Sequence, residues 1–149
     1  MSTMRRKVEP MGRVLTSIFI ENLADLWEVE RGLRTADQVR GVMVEDALVD
    51  TGASTLSLPP SLIGQLGLKH YKTRPVRTAA GPAEARVFEA VRFTIQGRDG
   101  KVDVLEVPEG TPVLVGQVPL EITDFVVDPK NQCLICNPAH GGQWEMELY

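Results

Sequence analysis

Short runs of apolar and β-branched residues alternate with turn residues along most of the chain. Residues 14–20 and 42–49 have the composition of buried strands. Residues 85–96 alternate between apolar and polar side chains, which is the pattern of a half-exposed strand. A glycine-bounded turn at residues 97–100 then leads into a hairpin partner at residues 101–107. The pattern therefore predicts a fold built mainly from short strands.

Two brief helices are predicted between these strands. Asn22 is a suitable N-cap for a helix on which Leu23 and Trp27 share one face, and Gly32 provides a stop. Trp27 is expected to be a packing anchor. Residues 62–66 form a second short helix. Many short strands combined with brief helices favour an all-β domain, either closed or sandwich-like.

Length and composition favour one domain over residues 1–149. The chain is 43% apolar and carries a net charge of −4, so it lacks the basic field that would hold nucleic acid or anionic lipid. No signal-peptide pattern opens the sequence, and no apolar run approaches the roughly 18 residues of a membrane span. We therefore expect a cytoplasmic protein with neither nucleic acid nor a membrane as partner.

The two cysteines, Cys133 and Cys136, lie close together near the C-terminus. A zinc site requires about four ligands, and only His70 and His140 are further soft candidates. The Asn-Pro pair directly after Cys136 stops the helix that a thiol redox pair would need. We therefore predict no metal and no cofactor, with both cysteines on a short strand and both histidines on the surface. A thiol or metal protein remains a weaker alternative.

Asp50 follows the apolar run 42–49 directly and opens the triplet Asp-Thr-Gly. Alone, this triplet also suits a simple turn in which the aspartate caps its own loop. However, an acid at the end of a buried strand loses hydration unless it is hydrogen-bonded or used in chemistry. Further along, a second apolar run at residues 113–115 ends at Gly116.

These two motifs together resemble a known family. Residues 47–53, Ala-Leu-Val-Asp-Thr-Gly-Ala, are similar to the active-site strand and loop of retroviral-like aspartic proteases. Residues 113–120, Val-Leu-Val-Gly-Gln-Val-Pro-Leu, resemble the strand and short helix that cradle this loop in that family. Residues 77–84 take the place of the β-hairpin flap that covers the substrate. The resemblance spans residues 42–127 and implies a closed β-barrel of the retropepsin type, with one or two short helices.

The resemblance implies a role for each residue of the motif. Two Asp50 side chains, one from each subunit, would share a proton and activate a water molecule for attack on a peptide bond. Thr51 would brace the opposite loop, and Gly52 would let its N–H approach the carboxylates. Substrate contacts are expected from Ala53, Ser54, Thr55, Ala79, Ala80 and Gly81, with support for the loop from Val115 and Gly116.

The chain departs from the retroviral pattern in three places. Gln117 and Val118 stand where retroviral enzymes carry Arg followed by Asn or Asp. The flap has a single glycine at its tip with a proline beside it, which predicts a stiff flap. Residues 1–40 form an N-terminal strand and helical extension, and residues 128–149 form a C-terminal extension.

One Asp-Thr-Gly per chain predicts a homodimer, because a pair of acids then requires two copies. The sequence thus predicts an aspartic endopeptidase that acts on polypeptides. The main alternative is an inactive module of the same fold that dimerises or binds extended peptides by strand addition. The intact Asp-Thr-Gly argues against this alternative, since a binding module has no need of paired carboxylates.

Overall fold

The computed structural model describes residues 13–148 and consists mainly of strands. Its three α-helices are short, and two 3-10 turns lie at Ala36–Gln38 and Pro138–His140. The helices are α1 (Leu23–Glu30), α2 (Pro60–Leu66) and α3 (Gln117–Thr123). The strands are β1 (Leu15–Asn22), β2 (Gly41–Val49), β3 (Leu56–Leu58), β4 (His70–Thr78), β5 (Gly81–Ile95), β6 (Arg98–Glu106), β7 (Leu114–Val115), β8 (Phe125–Asp128) and β9 (Cys133–Cys136).

Seven of the strands form one sheet in the order β1-β2-β7-β3-β6-β5-β4. Because β1 also pairs with β5, six strands close into a ring, and β4 attaches to β5 outside it. The predicted all-β fold is confirmed, although the ring is not a regular barrel and three helices are present instead of one or two. None of the helices in residues 13–148 has both the length and the apolar character needed to cross a membrane.

The core lies inside this ring. Ile18 and Ile20 of β1 are fully buried, as are Val91, Phe93 and Ile95 of β5. The alternation read in residues 85–96 therefore does point its apolar side chains inward. Burial of each such side chain stabilises the folded state by about 1.5–3 kcal/mol. The pairing of β1 with β5 therefore closes the ring where both strands contribute fully buried side chains.

The hairpin between β5 and β6 is tighter than predicted. Ile95 pairs with Arg98, so the turn consists of Gln96 and Gly97 alone and does not occupy residues 97–100. Both turn residues have positive φ, 47° at Gln96 and 82° at Gly97. This is the backbone conformation of a two-residue turn whose twist matches the flanking strands.

Helix α1 is anchored by a buried carboxylate, and its tryptophan is exposed. Asn22 caps the helix as predicted, accepting a hydrogen bond from the Asp25 N–H at 2.9 Å. The Arg40 guanidinium donates to Asp25 from Nε and Nη2, both at 2.9 Å. These hydrogen bonds lower the pKa of Asp25 to about 2, so it stays ionised although it is buried. Trp27 is 47% exposed, so its predicted packing role was wrong.

Strands β8 and β9 form a second, two-stranded sheet, and the short strand predicted around the cysteines is β9. After it, His140 Nδ1 lies 2.6 Å from Asp124 Oδ2 and His140 Nε2 lies 3.2 Å from Glu147 Oε2. The bond to Asp124, aided by Glu147, raises the pKa of His140, and the same bond lowers the pKa of Asp124. His70 is exposed, as predicted, whereas His140 is only partly exposed, with its side chain 13% accessible.

The contacts of His140 predict a pH-dependent stability. A histidine whose pKa is raised by folding stabilises the folded state fully below its unfolded pKa, and this stabilisation is lost as pH rises through the folded pKa. We therefore expect the Tm to fall between pH 5.5 and pH 8, and His140→Asn to remove that fall. Thermal unfolding at both pH values tests this. His70→Asn is the matched control and should keep the wild-type slope; equal slopes for wild type and His140→Asn would contradict the expectation.

Candidate active site

Asp50 begins a tight loop at the end of β2, immediately after Val49 enters the core. The Asp50 N–H donates to the Val115 carbonyl at 2.9 Å, and the Asp50 carbonyl accepts from the Ala53 N–H at 3.0 Å. Carboxylate oxygen Oδ1 accepts from the Gly52 N–H at 3.0 Å. The second oxygen, Oδ2, has no hydrogen bond within residues 13–148. The loop therefore orients a half-buried carboxylate through one of its two oxygens.

Strand β7 holds both ends of this loop. It pairs in parallel with the end of β2 and antiparallel with β3, so it lies between the strand that enters the loop and the strand that leaves it. Val115 of β7 is fully buried. A two-residue strand in this position fixes the loop from the core side.

The first amides of α3 support the loop from the opposite side. The Gly116 N–H donates to the Thr55 carbonyl at 2.9 Å. The next two amides donate to the carbonyls of Ala53 and Ser54, also at 2.9 Å each. N–H groups at the start of a helix lack partners within the helix, and here the loop supplies them. A Cβ at position 116 would lie 2.5 Å from the Thr55 oxygen and 2.7 Å from the Ala53 oxygen, so this approach requires glycine.

Positions 117 and 118 are uncharged, as the sequence indicated. Gln117 Nε2 donates to Glu121 Oε2 at 3.1 Å along α3. Val118 is 42% exposed. The ion pairs that an arginine makes at this position in retroviral enzymes therefore cannot form here.

A groove of about 810 Å³ opens beside the loop. This volume lies within the range of about 300–1,000 Å³ that is typical of ligand sites. One wall is the Asp50 loop and the other is β4, with the floor formed by β5 and β6. The loop wall consists of Gly52, Ala53, Ser54 and Thr55, and the β4 wall of Arg74, Pro75, Val76 and Arg77.

The structure therefore brings three of the predicted substrate-binding residues, Ala53, Ser54 and Thr55, to one groove. The Thr55 hydroxyl also donates to the Asp103 carbonyl at 2.9 Å and so ties the loop to β6. The β4 wall was not predicted from the sequence. Its only sequence signal was the basic composition of residues 72–77.

The other three predicted substrate contacts, Ala79, Ala80 and Gly81, lie at the tip of the β4–β5 hairpin and do not line the groove. The residues predicted to form the flap, 77–84, do form the end of a β-hairpin. The Thr78 hydroxyl donates to the Gly81 carbonyl at 2.8 Å and accepts from the Ala80 N–H at 3.2 Å. Gly81 has φ of 114°, which L side chains rarely adopt. The tip is thus internally braced, and its contact with substrate stays a prediction.

Residues 38–120 match the family model of aspartyl proteases. This span includes β2, the Asp50 loop, the β4–β5 hairpin, β7 and the first turn of α3. It covers more than half of the chain. This chain belongs to the aspartyl protease family. The resemblance read from the two sequence motifs is therefore confirmed at the level of the family. No curated protein matches the chain.

Within the Asp-Thr-Gly triplet, Asp50 and Gly52 are joined by a hydrogen bond and Thr51 is not part of it. It is exposed, and its hydroxyl has no hydrogen bond to any part of the chain that the structure describes. Its neighbours on both sides are held by the bond between Gly52 and Asp50. In this aspartyl protease, the predicted role of Thr51 in bracing a second loop therefore stays a prediction.

Proposed function

We propose that this chain is an aspartic endopeptidase that acts as a homodimer, with one Asp50 from each subunit in the active site. The observation that carries the proposal is the Asp50 carboxylate itself. It is held by the Gly52 N–H on one oxygen, open on the other, and adjacent to a groove large enough for an extended peptide. Membership of the aspartyl protease family supports the same chemistry.

The chemistry requires two carboxyl groups in different protonation states. When two Asp50 side chains meet at a two-fold axis, they share one proton, because two adjacent carboxylates repel each other. The ionised group takes a proton from a water molecule, whose oxygen attacks the peptide carbon, while the protonated group donates a hydrogen bond to the peptide oxygen. Transfer of a proton to the amide nitrogen then allows the C–N bond to break.

The surroundings of Asp50 support the assembly of such a pair. The free hydroxyl of Thr51 suits a contact with the loop of a second subunit, which would hold both carboxyl groups in place. The β4–β5 hairpin serves as the flap. Its tip is braced by Thr78 and followed by Pro82, so we expect its movement to be small.

Titration with a statine-type transition-state mimic tests both the activity and the dimer. We expect the protein to cleave members of a peptide library, the mimic to inhibit this cleavage, and calorimetry to give one mimic bound per two chains. A second chain is required because each active site needs two copies of Asp50. Binding of one mimic per chain, or full activity in a strictly monomeric protein, would rule out the shared site.

A further inference from the structure

The groove beside Asp50 carries an excess of positive charge. The residues that line it include Arg74, Arg77 and Lys101, against one acidic residue, Asp103. Arg74 and Arg77 are three residues apart on β4 and lie on opposite faces of that strand. The chain as a whole has a net charge of −4. The positive charge is thus local to the groove and opposite in sign to the rest of the protein.

These three cations also lack the ion pairs that other arginines of the same sheet make. On β5, Arg92 contacts Glu21 at 3.2 Å and Asp99 at 3.1 Å. Arg86 contacts Glu106 at 3.5 Å. Within residues 13–148, neither Arg74, Arg77 nor Lys101 has a carboxylate within ion-pair distance.

Lys101 shows the contrast most directly, because it pairs in register with Arg92. The two cations are neighbours across β5 and β6, yet only Arg92 is neutralised. An unpaired cation in a binding groove favours a ligand of opposite charge, because charge complementarity mainly determines which partner is selected.

We propose that the groove selects polypeptide segments with acidic side chains on both sides of the cleaved bond. This inference rests on the proposed function and adds its substrate class. Arg74 and Lys101 attract Glu and Asp side chains of the peptide, and Arg77 adds positive charge from the other face of β4, while a lysine-rich peptide meets repulsion. In the dimer, two-fold symmetry places a copy of the three cations on each side of the bond, so the preference applies to both flanks.

Binding to a protein that cannot cleave separates charge selection from catalysis. The probes are three labelled peptides with the same apolar centre and with Glu, Gln or Lys at the flanking positions. They are titrated into the Asp50→Asn protein, and fluorescence anisotropy reports the Kd. We expect the Glu peptide to bind about five- to tenfold more tightly than the Gln peptide, since each exposed charge pair contributes modestly. The difference should shrink at ~0.5 M salt because the charges are screened.

The variant carrying Arg74→Gln, Arg77→Gln and Lys101→Gln in the same background should bind the Glu and Gln peptides equally. The control is the double variant Arg31→Gln and Lys130→Gln, which removes exposed cations outside the groove and should keep the preference. The inference would be overturned if all three peptides bound equally or if none bound. It would also be overturned if the triple variant still preferred the Glu peptide. Selective binding of the Glu peptide without its cleavage by wild type would leave the inference standing and contradict the proposed function.

Discussion

Replacing Asp50 by Asn should lower kcat/KM for peptide cleavage by at least about a thousandfold, the scale of general acid–base catalysis. The amide can neither take the proton of the water nor share a proton with the second carboxyl group. The fold should survive, because the Asn side-chain oxygen can still accept from the Gly52 N–H. The measurements are kcat/KM for the best library peptide and the Tm of both proteins.

Asp46→Asn is the matched control for this change. Asp46 is exposed on β2, four positions before Asp50, and lies outside the groove. The same loss of one negative charge there should leave kcat/KM within about twofold of wild type, as expected of a surface substitution. If Asp50→Asn cleaves peptides as fast as Asp46→Asn, Asp50 is not the catalytic acid.

Subunit mixing extends the same prediction to the dimer. When equal amounts of wild-type and Asp50→Asn chains exchange at random, about a quarter of the dimers retain both carboxyl groups. Cleavage per total dimer should therefore fall to about a quarter of the wild-type value. A value of one half would show that each chain works independently.

Gly116→Ala is expected to damage both stability and activity. The added methyl group would meet the backbone oxygens of Thr55 at 2.5 Å and Ala53 at 2.7 Å, neither of which can rotate away as a side chain could. Such overpacking typically reduces the free energy of unfolding by about 1–3 kcal/mol. Because the displaced oxygens belong to the Asp50 loop, kcat/KM should fall as well. Denaturant unfolding and peptide cleavage measure the two effects.

Gly64→Ala provides a control of opposite sign. Gly64 lies within α2, and a Cβ there would meet nothing within 4 Å. Alanine is favoured over glycine inside a helix by up to about 1 kcal/mol, so this variant should be neutral or more stable. A Gly116→Ala protein as stable and active as Gly64→Ala would show that the loop tolerates displacement.

The features that the sequence predicted correctly are those that rest on local pattern. The alternation of Val91, Phe93 and Ile95 indicates a strand whatever its neighbours, and Asn22 is a helix cap by its own chemistry. The site was located because Asp50 and Gly116 each belong to a short motif with a recognisable spacing. Helix α3 was expected only through the family resemblance, since seven residues carry too little periodicity.

The features that the sequence missed depend on contacts between distant segments. Apart from its last two residues, which belong to the predicted flap hairpin, strand β4 was not predicted, because its side chains are nearly all exposed and show no apolar alternation. Trp27 appeared to be the anchor of α1, but Asp25 is buried in its place because Arg40 reaches it from outside the helix. In the same way, the partner of the His140 ring, Asp124, lies in a distant segment and could not be read from the sequence around His140. None of these partners is adjacent in sequence.

Because the ring is closed, few strands of this sheet have an edge that could form backbone hydrogen bonds with a strand of another polypeptide. Within the seven-stranded sheet of residues 13–148, every strand except β4 has a neighbour on both sides. The unpaired edge of β4 contains Pro75, which has no N–H, with Arg74 directly before it and Arg77 two residues after it. Proline and repeated positive charge on an exposed edge strand oppose its edge-to-edge pairing with the same strand of another copy. The protein therefore leaves one edge open next to its groove without becoming a template for its own fibrils.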